Sequence, residues 1–171
     1  MEYWDLYDEF GNPLGRTISK GTALREGEYH FAVEIWIVNS RGEFLIQQRS
    51  KTCELLPGIW AFTTGRVAAG ETTAEGCIRE LQEELGLCAS AGQLLPLRRI
   101  VRRDGTHLIW DLFLLRTAHP LSAFSLQKEE VASVKYVSFL NLLKGLEEKN
   151  IFSYPEIRDV AEQVRWITQG S

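Results

Sequence analysis

The stretch from Gly65 to Leu87 reads GRVAAGETTAEGCIRELQEELGL, and it places Glu80, Glu83 and Glu84 on one predicted helix. Residues three and four apart are neighbours on a helix surface, where like charges repel by roughly a few tenths of a kcal/mol per pair. A divalent cation would offset this repulsion. The pattern therefore suggests a metal-binding face, although a solvated charged face is the commoner use of such a helix.

The same helix carries an apolar stripe beside its acidic face. At 100° per residue, with Cys77 on the flank, the stripe consists of Ala74, Ile78, Leu81 and Leu85. Thr72 or Thr73 is expected to cap the start of the helix, and Gly86 stands where a left-handed C-cap is expected. We therefore expect a helix that packs through one side and presents its glutamates next to that side.

The composition is that of an ordinary globular protein. The chain has 171 residues, of which 44% are apolar and 25% are charged, and its formal net charge is −4. We expect a single domain over residues 1–171 with a full hydrophobic core. The acidic balance argues against a nucleic-acid surface, which usually needs clustered Lys and Arg. The sequence leaves open whether the chain forms a homodimer.

Cysteine spacing and hydropathy indicate a reducing, aqueous environment. Cys53, Cys77 and Cys88 form no CxxC pair and are odd in number, so neither a disulfide framework nor a zinc site is expected. The N-terminal segment MEYWDLYDEFG is acidic, and no apolar run approaches the roughly 20 residues that a membrane span requires. The prediction is a soluble cytoplasmic protein.

Strand patterns precede the opening stretch. The segment from Glu2 to Asp8 mixes acidic with aromatic residues in alternation, and a Gly-Asn-Pro turn follows it. This pattern predicts an N-terminal β-ribbon. Phe31 to Asn39 and Glu43 to Arg49 are rich in β-branched and aromatic residues and predict two central antiparallel strands. A further short strand is predicted over Ile59 to Thr64.

Strands and helices also follow the opening stretch. Asp104-Gly105 favours a two-residue turn, so Leu97 to Arg103 and Thr106 to Arg116 predict a β-hairpin. Val134 to Phe139 predicts another strand, and two helices are expected after it, near Leu140 to Lys149 and near Glu156 to Thr168. This mixture of elements indicates α/β layers around a mixed sheet.

The spacing within the opening stretch is specific. Gly65 is followed after five residues by Glu71, and after seven more by Arg79-Glu80-Leu81-Gln82-Glu83-Glu84-Leu85-Gly86-Leu87. At every defined position this pattern resembles the Nudix box, G-x5-E-x7-R-E-U-x-E-E-x-G-U, in which U is a large aliphatic residue. The resemblance implies a Nudix-type α/β/α sandwich around a mixed β-sheet, with the box at residues 65–87 and an N-terminal β-ribbon at residues 1–28.

The resemblance also implies a chemistry. In proteins similar to this one the box glutamates hold Mg²⁺ or Mn²⁺ against a diphosphate, so the expected metal ligands are Glu80, Glu83, Glu84 and the Gly65 carbonyl. Arg79 and Glu71 are expected to form a bridge that orients the loop, and they complete the expected catalytic set with the three glutamates. The implied reaction is hydrolysis of the diphosphate linkage in a nucleoside diphosphate derivative or another small organic diphosphate.

Several residues keep alternative roles. A glutamate in or beyond the box often serves as the base in this family, and Glu129 and Glu130 are the candidates outside it, with a polar loop as the plain alternative. The run Arg98 to Arg103 either binds phosphates or forms a solvated hairpin. Trp110 either lines a pocket or belongs to the core.

The segment before the box identifies a branch of the family. Trp60 to Arg66 reads WAFTTGR rather than ending in the Pro-Gly-Gly of many diphosphohydrolases, and with FAVEIWIVN and FLIQQRS it resembles the isopentenyl-diphosphate-isomerase-like branch. Isomerases of that branch have a catalytic Cys and a metal-binding His where Thr64 and Arg66 stand here. A threonine hydroxyl is too weakly acidic for the role of the thiol. Hydrolysis is therefore favoured, with an isomerase and a non-catalytic ligand-sensing module as alternatives.

Overall fold

The structure is a computed structural model that describes residues 1–170. Its strands are β1 (Tyr3–Tyr7), β2 (Pro13–Ser19), β3 (His30–Val38), β4 (Phe44–Arg49), β5 (Trp60–Ala61), β6 (Thr63–Arg66), β7 (Leu94–Val101), β8 (Leu108–Arg116) and β9 (Val131–Val137). Its helices are α1 (Thr73–Leu85), α2 (Phe139–Glu147) and α3 (Ile157–Gln169). Over residues 1–170, none of the helices has the length and apolar character needed to cross a membrane.

The main sheet is mixed and has β3 at its centre. Its strands follow the order β5-β4-β3-β8-β7, and β6 and β9 pair in addition with β3 and β4. β3 and β8 run parallel from His30↔Leu108 to Val38↔Arg116, whereas the remaining pairs are antiparallel. β3 is buried along its whole length, as expected of a strand whose two faces are both covered. The predicted antiparallel pairing of the two central strands, β3 and β4, is confirmed.

Helices cover the main sheet on both faces. On one face, Val33 of β3 belongs to the same buried cluster as Leu81 of α1. On the other face, Trp36 belongs to a cluster that includes Leu142 of α2 and Val160 of α3. Successive strand residues point to opposite faces, which is why one apolar strand can serve both clusters. This is the α/β/α sandwich around a mixed sheet that the sequence predicted.

Helix α1 begins and ends as its sequence predicts. Thr72 is the N-cap, and its hydroxyl accepts from the Glu75 N–H while the Glu75 carboxylate accepts from the Thr72 N–H. Gly86 has a φ of 64°, and a Cβ there would lie 2.8 Å from the Cβ of Ser125. Glycine is therefore required both for backbone conformation and for space. Cys77, predicted on the flank of the apolar stripe, is fully buried, whereas two members of that stripe are half-buried, namely Ala74 and Ile78.

The predicted N-terminal β-ribbon is present. β1 and β2 pair antiparallel around a small apolar cluster, which consists of Trp4, Leu6 and Ile18. The ribbon is bonded to the box, because the Ala69 N–H donates to the Tyr3 carbonyl and the Gly70 N–H donates to Asp5 Oδ2, each at 2.8 Å. It is therefore placed to shape whatever binds beside the box.

The hairpin formed by β7 and β8 is confirmed, but the predicted two-residue turn at Asp104-Gly105 is wrong. β7 ends at Val101 and β8 begins at Leu108, so the connection is longer. The side chain of Asp104 accepts hydrogen bonds from the backbone and hydroxyl of Thr106. This local Asx-type structure shapes the loop instead of a tight hairpin turn.

The strand predicted at Val134 to Phe139 is observed at Val131–Val137, so it begins three residues earlier than predicted. Its predicted end is wrong because Ser138 caps the next helix, where its hydroxyl accepts from the N–H of Asn141 at 3.2 Å. Phe139 therefore begins α2 rather than ending β9. Both predicted C-terminal helices are confirmed as α2 and α3.

Replacement of Leu81 by Ala tests how α1 is held to the sheet. Leu81 is fully buried, so we expect Leu81→Ala to lower the free energy of unfolding by about 2–5 kcal/mol through lost burial and a residual cavity. Leu140→Ala is the matched control, because Leu140 is 75% exposed, and it should change stability by less than about 0.5 kcal/mol. Urea unfolding followed by circular dichroism measures both. Equal losses would contradict the packing described for α1.

Candidate active site

Strand β6 brings the start of the opening stretch against α1. β6 pairs with β3 antiparallel and sets Gly65 opposite Val33. A Cβ at position 65 would overlap the carboxylate of Glu80. Glycine is required here because the backbone of the strand and the side chain of the helix approach so closely. Two of the predicted metal ligands, Gly65 and Glu80, are thus in contact.

Arg79 joins the loop to α1. Its Nε donates to Glu71 Oε1 at 2.7 Å, and its second terminal nitrogen donates to Glu71 Oε2 at 3.1 Å and to the Arg66 carbonyl at 2.8 Å. Glu71 also accepts from the Ala68 N–H at 2.9 Å. The predicted bridge between Arg79 and Glu71 is therefore present. Together with the bond to the Arg66 carbonyl, it holds both ends of the loop 66–71 against α1.

The acidic face of α1 is not uniform. Glu84 is buried, with 7% of its surface exposed, and its Oε2 accepts from Gln47 Nε2 at 2.6 Å. Gln47 in turn accepts from the Thr63 hydroxyl at 2.8 Å. Glu80 accepts from Arg79 at 2.8 Å, whereas the half-exposed Glu83 lies 3.3 Å from the same guanidinium. Strands β4 and β6 thus hold Glu84, while Arg79 holds the other two glutamates.

The two inner glutamates have raised pKa values. Burial raises the pKa of Glu80 to about 7, against the opposing effect of the Arg79 guanidinium. Burial likewise raises the pKa of Glu84 to about 7, against the hydrogen bond from Gln47. Desolvation disfavours the ionised form of a carboxyl group. A cation bound beside these groups would favour the ionised form and displace the proton.

The donor set fits a hard divalent cation. Over residues 1–170, no three His, Cys, Asp or Glu side chains are close enough together to hold a metal ion by themselves. This agrees with the position of Glu83, which turns toward Arg79. Mg²⁺ is commonly held by one or two carboxylates and completes its coordination with water and substrate phosphates. Glu80, Glu84 and the Gly65 carbonyl supply oxygen donors of this kind.

The acidic face lines a cavity of about 1160 Å³. All of the predicted metal ligands reach this cavity, namely Gly65, Glu80, Glu83 and Glu84, and so does Arg79. Other parts of its wall come from elements that the sequence did not connect with the box. The ribbon and its turns contribute Glu2, Trp4 and Lys20, and the far side of the sheet contributes Trp110 and Phe152.

The candidate residues outside the box divide into those at the cavity and those away from it. Glu130 lines the cavity, and its carboxylate lies 3.5 Å from the Cys53 thiol. Glu129 is exposed and contributes backbone contacts. Both roles considered for Trp110 are observed, because it packs in the core cluster and also lines the cavity. Its Nε1 is buried without an acceptor among residues 1–170.

The arginines of the Arg98 to Arg103 run serve the fold rather than the cavity. Each has an internal partner, and the pairs are Arg98–Gln163, Arg99–Asp111, Arg102–Glu156 and Arg103–Glu9. Among residues 1–170, the cavity wall includes none of these arginines. The side chains of the run thus cross-link separate elements outside the described cavity wall, and phosphate binding by the run stays an untested alternative.

Sequence reasoning missed the most deeply buried carboxylate of the described residues, Glu34, at the centre of β3. Only 1% of its surface is exposed, and it accepts from Trp36 Nε1 at 2.7 Å and from the Tyr154 hydroxyl at 2.5 Å. Burial raises its pKa to about 7. The available signal was one charged residue inside the apolar run FAVEIWIVN, a position where a carboxylate needs dedicated partners.

Comparison with known proteins gives one consistent family. A family model described as NUDIX domain matches residues 28–159. Nudix hydrolase 3 of Arabidopsis thaliana is 36% identical over 149 residues, which span 81% of this chain but 19% of that protein. A Listeria monocytogenes protein described as an uncharacterized Nudix hydrolase is 34% identical over 139 residues, spanning 81% and 80% of the two chains.

Isomerases and a solved structure are also similar. An isopentenyl-diphosphate Delta-isomerase of Pectobacterium atrosepticum is 30% identical over 134 residues, which span 78% of this chain and 74% of that protein. A crystal structure from Deinococcus radiodurans has a TM-score of 0.75 at 20% identity and covers 95% of this chain and 99% of that chain. This structural likeness shows a common fold.

The stability of the metal-free chain should depend on the ionisation of Glu84. The pKa of Glu84 rises from its ordinary value of 4.5 to about 7 on folding, so the penalty of burying its charge is absent below pH 4.5 and grows as the pH rises through 7. Glu84→Gln cannot ionise and should melt above the parent chain in EDTA at about pH 8, with this difference shrinking toward about pH 5.

The exposed Glu162 provides the matched control, since Glu162→Gln removes the same charge outside the cavity. It should show no such dependence on pH. Thermal unfolding of the three proteins in EDTA across this pH range measures the effect. A melting temperature for Glu84→Gln that stays below that of the parent at about pH 8 would show that the carboxylate stabilises the fold.

Proposed function

The chain belongs to the Nudix family, and from that premise we propose that it is a Mg²⁺- or Mn²⁺-dependent hydrolase of a diphosphate linkage. The proposed substrate is a nucleoside diphosphate derivative or another small organic diphosphate. The observation that carries the proposal is the close approach of Gly65 to Glu80 on the wall of a cavity that Glu84 also lines. The family in general cleaves nucleoside diphosphate derivatives and uses divalent metals.

The residues of the box take complementary roles in this proposal. Glu80, Glu84 and the Gly65 carbonyl hold the cation, and Glu83 is the further carboxylate of the same face. When bound there, such a cation would screen phosphate charge and lower the pKa of a nearby water. Arg79 and Glu71 position these groups, because their bridge fixes the loop that carries Gly65 to α1.

The base that accepts a proton from water is assigned to one of two carboxylates. Glu83 is half-exposed in the cavity, so its carboxylate can reach a water molecule without leaving the acidic face. Glu130 lines the cavity from outside the box and is the second candidate. Glu129 is a weaker choice, since the described cavity wall does not include it. Geometry is the first requirement for such a base, before its pKa.

The size and lining of the cavity support an organic substrate rather than inorganic diphosphate alone. Trp4, Trp110 and Phe152 give the wall aromatic surface beside its carboxylates. Pockets for small molecules commonly combine apolar surface with a few placed polar groups.

We also propose that residues 1–171 form one domain and that the protein is cytoplasmic. Both stay predictions, and so does a homodimer.

The isomerase alternative is favoured only by the similarity to isopentenyl-diphosphate Delta-isomerases. Thr64 and Arg66 both line the cavity at the two positions that matter for that chemistry. A threonine hydroxyl is a poor proton donor, and a guanidinium has no lone pair to offer a metal ion. A non-catalytic sensing module is also less favoured, because a binding protein has less need of the complete set of box glutamates.

A panel assay tests the proposed function. The purified chain should release products from at least one nucleoside diphosphate derivative or other organic diphosphate in the presence of Mg²⁺, and EDTA should abolish turnover without unfolding the chain, because the core does not depend on the ion. Mass spectrometry of products and circular dichroism measure the two effects. Turnover that survives exhaustive chelation would contradict the metal-dependent proposal.

One arm of this assay addresses the isomerase. Isopentenyl diphosphate with Mg²⁺ in heavy water should give neither dimethylallyl diphosphate nor deuterium uptake above a protein-free control. Either signal would favour the isomerase over the hydrolase.

Replacement of Glu84 separates catalysis from packing. Glu84→Gln keeps the size of the side chain but removes a charge from the metal-binding face, so turnover should fall by at least about 100-fold, which is roughly 3 kcal/mol of transition-state stabilisation. The control Glu162→Gln should retain nearly full turnover. Steady-state kinetics at a temperature where both variants are folded gives the comparison. Near-parental activity of Glu84→Gln would remove Glu84 from the proposed site.

A further inference from the structure

One basic side chain of the cavity wall has no hydrogen-bonding or ion-pairing partner among residues 1–170. Arg66 is half-buried and lines the cavity, yet over residues 1–170 its guanidinium makes no hydrogen bond or ion pair. The other basic side chains of the described wall are all bonded, and the contacts are Lys20–Glu2 at 3.2 Å, Arg49 to the Leu55 carbonyl at 2.8 Å and Arg79–Glu71 at 2.7 Å. Arg66 differs from them in having its donors free.

Glu2 attracts Arg66 electrostatically, but among residues 1–170 none of the cavity carboxylates forms a hydrogen bond or ion pair with its guanidinium, because each is bonded elsewhere. Their partners are Lys20 and Trp4 for Glu2, Arg79 for Glu80 and Glu83, Gln47 for Glu84 and Cys53 for Glu130. A partly desolvated guanidinium that gains no partner lowers the stability of the fold. A side chain kept in that condition is better explained by a ligand than by packing.

The position of Arg66 relates it to the acidic face. Gly65 and Arg66 are consecutive in β6, so their Cα atoms are about 3.8 Å apart and their side-chain directions point to opposite faces of the sheet. Arg66 is in register with Ala32, whereas Gly65 is in register with Val33. Both residues nevertheless line one cavity, which therefore extends around this end of β6. A ligand held at Gly65 and Glu80 can thus reach Arg66 without leaving the cavity.

We infer that Arg66 binds a phosphate group of the substrate, on the side of β6 away from the acidic face. The inference rests on the proposed diphosphate substrate. A guanidinium presents a planar fork of N–H donors that matches two oxygens of one phosphate. A cation on the acidic face contacts only some of the phosphate oxygens of a diphosphate, and Arg66 donates hydrogen bonds to others. Arg66 is then a specificity-determining residue that selects diphosphates from phosphate-free analogues of the same organic group.

Calorimetric titration with methylenediphosphonate in Mg²⁺ tests this subsite, because the carbon bridge of this probe prevents hydrolysis. Arg66→Gln should weaken binding at least about tenfold, since it removes charged hydrogen bonds. Arg66→Lys keeps the charge without the planar fork of donors. It should weaken binding of the probe by about threefold, less than Arg66→Gln does. Arg103→Gln, the matched control, removes an equal charge from an exposed pair with Glu9 and should bind within about twofold of the parent.

Thermal unfolding supplies a second readout. Arg66→Gln should melt at or above the temperature of the parent, because the guanidinium makes no hydrogen bond or ion pair within residues 1–170. Binding of Arg66→Gln within about twofold of the parent, failure of the parent to bind the probe, or a large drop in melting temperature would each overturn the inference. Binding that depends on Arg66 in a chain that hydrolyses no diphosphate would instead refute the hydrolase and support the subsite.

Discussion

The guanidinium of Arg79 is the interaction on which the candidate site depends. It holds both carboxylate oxygens of Glu71, the carbonyl of Arg66 and the carboxylate of Glu80. One side chain of α1 thereby fixes the loop after β6, the end of that strand and the acidic face. Lysine could supply the charge but not a planar fork that bonds in three directions. The pairing of β6 with β3 positions Gly65, and Arg79 adds a direct link from the carbonyl of the next residue to the carboxylate of Glu80.

Helix α1 combines packing and chemistry, and the two requirements oppose each other. Leu81 and Leu85 are fully buried, and their contacts with the sheet bring the neighbouring Glu84 into the protein. The same burial raises the pKa values of Glu80 and Glu84 and makes their ionised forms costly without a cation. The energy that the apolar stripe contributes to the fold thus offsets the cost of burying these two carboxylates.

The acidic face could be predicted from sequence because its determinants are local. The capping box of Thr72 and Glu75, the glutamate spacing and Gly86 all lie within one stretch. The partners of that face could not be predicted, since Gln47 meets Glu84, and Thr63 meets Gln47, only through the register of β4 and β6. The tight turn predicted at Asp104-Gly105 was wrong for a related reason. The preference of this pair for a tight turn is local, whereas the pairing of β7 with β8 ends at Val101↔Ile109.

The cavity wall likewise combines local and distant parts of the sequence. The predicted metal ligands come from the box, and the aromatic residues come from elements far from it in the chain. The box supplies the acidic face in the cavity wall, but other parts of the wall come from Trp4 of the ribbon, from Trp110 of β8 and from Phe152. The ribbon precedes the segment that matches the family model, yet it is bonded to the box through Ala69 and Tyr3. Since Arg79 holds the other end of that loop, a change in the ribbon would be transmitted to the acidic face. Under the proposed function, the ribbon and the acidic face would therefore act on one substrate through a shared loop.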